Sequence, residues 1–169
     1  MTPPGDLATA LAITARLAAR LRDALDQMKP YIPFDAERAE AVEAANPLLT
    51  DAFLKRFENL VNHLQDQLWR RVAVEEGLRD PDRMSRRDLA DLMEKLDLLP
   101  SADEFLDVVR TRNPLSHIYP PDPARQARRL NDACARSAPL LAAADAAQPT
   151  RFAMNTRLNS FSRRRSVSA

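Results

Sequence analysis

Apolar residues recur every three or four positions along most of the chain, the spacing that keeps one face of a helix buried. Asp6 can cap a first helix, whose stripe runs through Leu7, Leu11, Leu17, Leu21, Leu25 and Met28 and which ends near Pro30. A short connector and a helix from about Asp35 to Ala45 follow, broken at Asn46-Pro47 because a residue before proline avoids the helical region. From Leu48 to about Glu76 the pattern predicts a long helix with the stripe Phe53, Phe57, Leu60, Val61, Leu64, Leu68 and Val72, and Trp69 beside it. A loop around Pro81 leads to Ser85, which can cap a helix carrying Leu89, Leu92, Met93 and Leu96 and closed by Pro100. Ser101-Ala-Asp-Glu104 reads as a capping box, starting a helix with Phe105, Leu106, Val108 and Val109 that stops at Pro120-Pro121. A last helix starts near Pro123 and runs through Leu130, Cys134 and Leu140 to about Ala147, with Pro139 a point where it can kink. The pattern therefore predicts an all-α bundle of about five to six helices over residues 1–148. Residues 149–169 show no sustained period and form a separate basic tail, expected to be disordered in isolation.

Composition strengthens the helical reading. Alanine (28) and leucine (23) dominate the apolar residues, while valine and isoleucine together number ten, so propensity leans to helix and against a β-rich fold. Only two glycines stand among 169 residues, which leaves no G-x-G-x-x-G or G-x4-G-K-[ST] loop to cradle a nucleotide phosphate. One cysteine, Cys134, cannot form an intramolecular disulfide and sits where a small buried apolar residue would. No run of about 18 apolar residues occurs and the first residues lack a signal-peptide pattern, so a soluble protein of the reducing cytoplasm is expected, away from membranes.

Charge divides the chain where the net +1 conceals it. The last acid is Asp145, and beyond it lie Arg151, Arg157, Arg163, Arg164 and Arg165, so an acidic body carries a basic tail. Arginine outnumbers lysine 22 to 3, a bias that coding preference and bidentate phosphate contacts would both produce. The tail's Phe152, Met154, Leu158 and Phe161 leave three readings open: an appendage without a specific role, a partner-docking segment, or an RNA anchor.

Candidate chemistry concentrates in one segment. His63, inside the long helix, reads as a hydrogen-bonded helix residue, and one cysteine with two distant histidines offers no ligand spacing for a metal, so no metal or cofactor is expected. His117 differs in its company: Arg110-Thr-Arg112-Asn113-Pro-Leu-Ser116-His117-Ile-Tyr119 gathers the side chains that handle a phosphodiester. An arginine can neutralise the phosphate, an asparagine can bond a ribose or phosphate oxygen, and imidazole can exchange protons near neutral pH. Asn113 and His117 are four apart and share a helix face, whereas Arg112 and His117 differ by about 140° on an ideal helix. A second copy of the helix across a dimer would bring the arginine of one chain to the histidine of the other and supply two histidines, one as base and one as acid.

The R-x4-H-x-Y pattern of Arg112, His117 and Tyr119, with Asn113 after the arginine, resembles the signature of HEPN-domain proteins. It is most similar to that of HepT toxins from HEPN/MNT toxin and antitoxin pairs, and the likeness spans roughly residues 85–147. Pro114 and Ile118 depart from the usual residues of that signature. The resemblance implies a HEPN-like bundle that dimerises with its motifs meeting in a cleft and cuts cellular RNA as a metal-independent endoribonuclease. It implies Arg112 as the phosphate ligand, His117 as the proton shuttle and Asn113 as their support. It also implies a nucleotidyltransferase antitoxin that silences the toxin by AMPylation of Tyr119. Two other readings fit the same residues: a non-catalytic HEPN module that partners a nucleotidyltransferase, and a helical structural or interaction protein. In the last, Arg112 pairs with an acid and His117 sits at a helix C-terminus, where the dipole favours a cation.

Overall fold

A computed structural model describes residues 6–112 and 122–147. These form an all-α bundle, with no strand among the described residues. Helix α1 spans Leu7–Met28, α2 Ala36–Ala45, α3 Pro47–His63, α4 Trp69–Glu75, α5 Arg86–Lys95, α6 Ala102–Arg112 and α7 Pro123–Ala146. A π-helical turn over Leu64–Leu68 joins α3 to α4, so residues 47–75 run as one continuous rod. Six rods result among the described residues, and α7 spans the bundle, touching α1, α2, α3 and α6. The basic tail, 149–169, and the second half of the expected motif helix lie outside the described residues.

The helix starts follow the local chemistry. Asp6 accepts from Thr9 N at 2.7 Å and Asp35 from Arg38 N at 2.8 Å, each supplying a partner for an amide the first turn leaves open. Ser85 and Asp88 form a reciprocal capping box at α5. At α6 the Ser101 hydroxyl accepts from Glu104 N at 3.2 Å, and the Glu94 carboxylate takes Ala102 N, so a side chain from α5 also caps this helix. Two helix ends use a left-handed residue, Gly77 (φ 87°) after α4 and Asp97 (φ 55°) after α5. In both, an amide beyond the turn reaches back, Leu78 N to Ala73 O and Leu98 N to Met93 O. Glycine adopts that backbone without strain, and aspartate is among the few other residues that tolerate it.

Most residues of the predicted stripes form the core, while Leu7, Leu17, Leu25, Leu92, Leu96 and Cys134 are partly buried against it and Leu106 is half-buried outside it. Leu21, Met28, Phe53, Phe57, Leu60, Leu64, Leu68, Met93 and Leu130 are fully buried, and Trp69 packs on Phe105 of α6 with ring centroids 4.4 Å apart. Asn131 of α7 clamps the connector between α1 and α2, accepting from Phe34 N and donating to Phe34 O, both at 2.8 Å. Pro139 does not interrupt α7, which continues through it to Ala146. No helix among the described residues is long and apolar enough to cross a membrane.

The one irregularity of the long rod lies in its core-facing stripe. In the π turn Trp69 N bonds Leu64 O, one residue further back than in an α-helix. Gln65, within that turn, is fully buried, and neither its Oε1 nor its Nε2 has a hydrogen-bond partner among the described residues. A buried, unsatisfied amide costs about 1–3 kcal/mol. Gln65→Met, of similar shape, is therefore expected to stabilise the fold by about that amount, read as a higher urea midpoint at unchanged slope. A lower midpoint would mean that the amide is satisfied in the folded protein.

Candidate functional site

The junction of α6 and α7 holds the one sequence-predicted site residue that lies among the described residues, Arg112. It is the last residue of α6 and continues the spacing of that helix's buried face, Phe105, Val108 and Val109. A guanidinium thus occupies the end of an apolar stripe. Its Nε and Nη2 are sealed from solvent and have no hydrogen-bond partner among the described residues. The nearby acid on the same helix, Asp107, is engaged elsewhere: Arg110 bonds it at 2.7 Å and Arg136 of α7 lies 3.7 Å from it. Asn113, His117 and Tyr119, the other predicted site residues, lie outside the described residues. In the sequence they fall between the end of α6 and the Asp122 cap of α7.

The first turn of α7 is capped by Asp122, which accepts from Ala124 N at 3.0 Å. Gln126 and Arg129 stand here, both half-buried, while Arg125 and Arg128 are exposed. Gln126 Oε1 is sealed and lacks a hydrogen-bond partner among the described residues.

Two titratable side chains elsewhere are structural. His63 Nε2 lies 3.0 Å from Ala10 O and 3.1 Å from Thr14 Oγ1, and the Thr14 hydroxyl itself donates to Ala10 O. A carbonyl only accepts, so Nε2 carries a hydrogen and donates to Ala10. The helix-residue reading of His63 agrees with this geometry. Burial holds its pKa below the ordinary value, with the charge of Arg71 acting the same way and the bond to Ala10 opposing. The unfolded chain then binds the proton more readily, so stability is highest above the ordinary histidine pKa and falls as pH drops through and below it. Accordingly, the urea midpoint of the wild type should fall more steeply between about pH 7 and pH 5 than that of His63→Gln; parallel profiles would refute this. Cys134 is half-buried, and burial pushes its thiol up to about 12, which keeps it protonated and unreactive at neutral pH.

Among the described residues no three His, Cys, Asp or Glu side chains cluster as metal ligands. No family model, curated protein or solved structure matches the chain.

Proposed function

We propose that the protein is a HepT-like toxin of the HEPN superfamily, a metal-independent endoribonuclease acting as a homodimer on cellular RNA in the cytoplasm. The observation that carries this reading is Arg112, a guanidinium with sealed donors and no acid partner among the described residues, five positions before His117 in an R-x4-H-x-Y sequence. Cationic donors removed from water call for an acceptor, and an RNA phosphate is one with matching charge and geometry.

In the proposed reaction a ribose 2′-oxygen attacks the adjacent phosphorus while the bond from phosphorus to the 5′-oxygen breaks. His117 of one copy accepts the 2′-hydroxyl proton, and His117 of the other gives a proton to the departing 5′-oxygen. Arg112 neutralises the phosphorane, which carries more charge than the starting diester, and Asn113 holds a ribose or phosphate oxygen. The products are a 2′,3′-cyclic phosphate and a free 5′-hydroxyl. The cognate antitoxin is a nucleotidyltransferase that moves AMP from ATP to the Tyr119 hydroxyl and releases pyrophosphate. The added negative charge and bulk beside Arg112 repel and block RNA.

Expression in cells tests this reading. The chain alone should arrest growth, and His117→Ala and Arg112→Ala should each abolish the arrest; harmless expression of the unmutated chain counts against it. Coexpression with the transferase should add the mass of AMP to Tyr119, and an unmodified tyrosine beside an active transferase would remove that mode of silencing.

A further inference from the structure

The C-terminal ends of α5 and α7 meet at one pocket. Its volume is about 430 Å³, and its walls are Glu94 in the last turn of α5, Asp97 just past it, Leu99 and Pro100 of the turn into α6, and Ala146 at the end of α7. Two carboxylates line it, with no basic residue among the described residues of its wall. Glu94 spends one oxygen on Ala102 N, and a carboxylate has further acceptor positions to offer. Asp97 is exposed, and its carboxylate has no ion-pair partner among the described residues.

The helix ends add to this charge. The last carbonyls of a helix lack intrahelical amides and present a partial negative charge. At α5 the amides of Leu96, Asp97 and Leu98 turn back onto such carbonyls, and Lys95 stands in the last turn. At α7 the last turn has no basic residue, and among the described residues only Ala147 N returns, to Asp145 O. Two carboxylates and an uncompensated helix terminus around one concavity call for a cation. A guanidinium suits it, because its planar fork bonds a carboxylate at two points while its other donors reach carbonyls.

The sequence supplies such a group at the pocket's edge. The described residues end at Ala147, beside the wall that Ala146 forms, and Arg151 follows four residues later. Four residues span at most about 14 Å when extended, so Arg151 stays within reach of the pocket. Arg157 is ten residues past Ala147, and closing that longer loop costs more entropy. We propose that Arg151 docks in this pocket against Asp97 and Glu94, folding the start of the basic tail back onto the α5–α6 turn of its own chain. Of the three readings open for the tail, residues 148–152 take the docking one, with the acidic body of the same chain as the partner. The ribonuclease reading plays no part in this contact.

Trypsin, which cleaves after arginine, reads the contact on the intact chain. Arg151 and Arg157 make matched sites, each preceded by threonine and followed by a large apolar residue, in Pro-Thr-Arg-Phe and Asn-Thr-Arg-Leu. Cleavage at each is timed by mass spectrometry and divided by the rate at the same bond in a free peptide of residues 148–161. In the wild type the bond after Arg151 should be cut about three- to tenfold more slowly than the bond after Arg157. Asp97→Asn removes the charge but keeps a residue suited to the left-handed backbone, and should raise the Arg151 rate to that of Arg157. Glu94→Gln keeps an acceptor for Ala102 N and should act in the same direction. Glu104→Gln alters an exposed acid of α6 outside the pocket and should change neither rate. Cleavage within the helices identifies any variant that unfolds. Equal wild-type rates at the two sites would overturn the proposal, as would an equal gain from Glu104→Gln, which would reduce the effect to bulk charge. Protection of Arg151 that survives both Asp97→Asn and Glu94→Gln would also overturn it, because a continuation of α7 past Ala147 protects without those acids. So would protection that weakens on dilution, which places the arginine of a second copy in the pocket.

Discussion

RNA cleavage is expected to fall about 10²- to 10⁴-fold when His117 is replaced by alanine and about 10²- to 10³-fold when Arg112 is. The two losses have different causes. Without His117 the 2′-hydroxyl must ionise unaided and the 5′-oxygen leaves as an alkoxide, so the defect should not shrink at saturating RNA. Without Arg112 both ground-state binding and stabilisation of the phosphorane are lost, so KM should rise as kcat falls. Arg112→Lys restores the charge but not the planar fork, and partial recovery is the expected result. Normal folding of these variants, checked by thermal unfolding, is required by the position of Arg112 at the end of α6 rather than in its interior. Full activity in either alanine variant would remove that residue from the reaction.

Trp69→Ala is expected to destabilise the protein by about 3–5 kcal/mol, the range for deleting a buried aromatic side chain. Trp69 is 1% exposed and meets Phe105 at a tilted angle of 56°, joining α4 to α6. A domain of this size is stable by about 5–15 kcal/mol, so the substitution removes a large fraction of the total. A double-mutant cycle with Phe105→Leu should return a coupling of about 0.5–1.5 kcal/mol for the ring pair. Trp69→Phe should cost much less than Trp69→Ala, because it keeps most of the packing and removes an indole N–H that has no partner among the described residues. Phe105 lies two turns before Arg112 on α6, so the same contact fixes the helix that presents the arginine. Denaturant unfolding measures each term, and a loss below about 1 kcal/mol for Trp69→Ala would show that the site collapses without leaving a cavity.

The helices were legible because their signals are local. Asp6 and Ser85 cap where their side chains predict, and the three-and-four spacing from Phe53 to Val72 found the buried face of the long rod. The π turn was not legible, since it depends on how the rod fits its neighbours, but Gln65 left a trace. It stands at spacings of four and three between Val61 and Leu68, a polar residue in an apolar stripe. Arg112 left the same trace after Phe105, Val108 and Val109. Its motif spacing marked it as chemical; that its donors are sealed needed the packed bundle.

The central claim is that this chain cuts RNA by its own side chains through attack of a 2′-oxygen. Purified protein, incubated with single-stranded RNA in excess EDTA, tests it most directly through the ends of the fragments. The account predicts fragments bearing 2′,3′-cyclic phosphate and 5′-hydroxyl ends from the wild type and intact RNA from His117→Ala. Cleavage that EDTA abolishes and added metal restores, or equal fragments from both proteins, would contradict it.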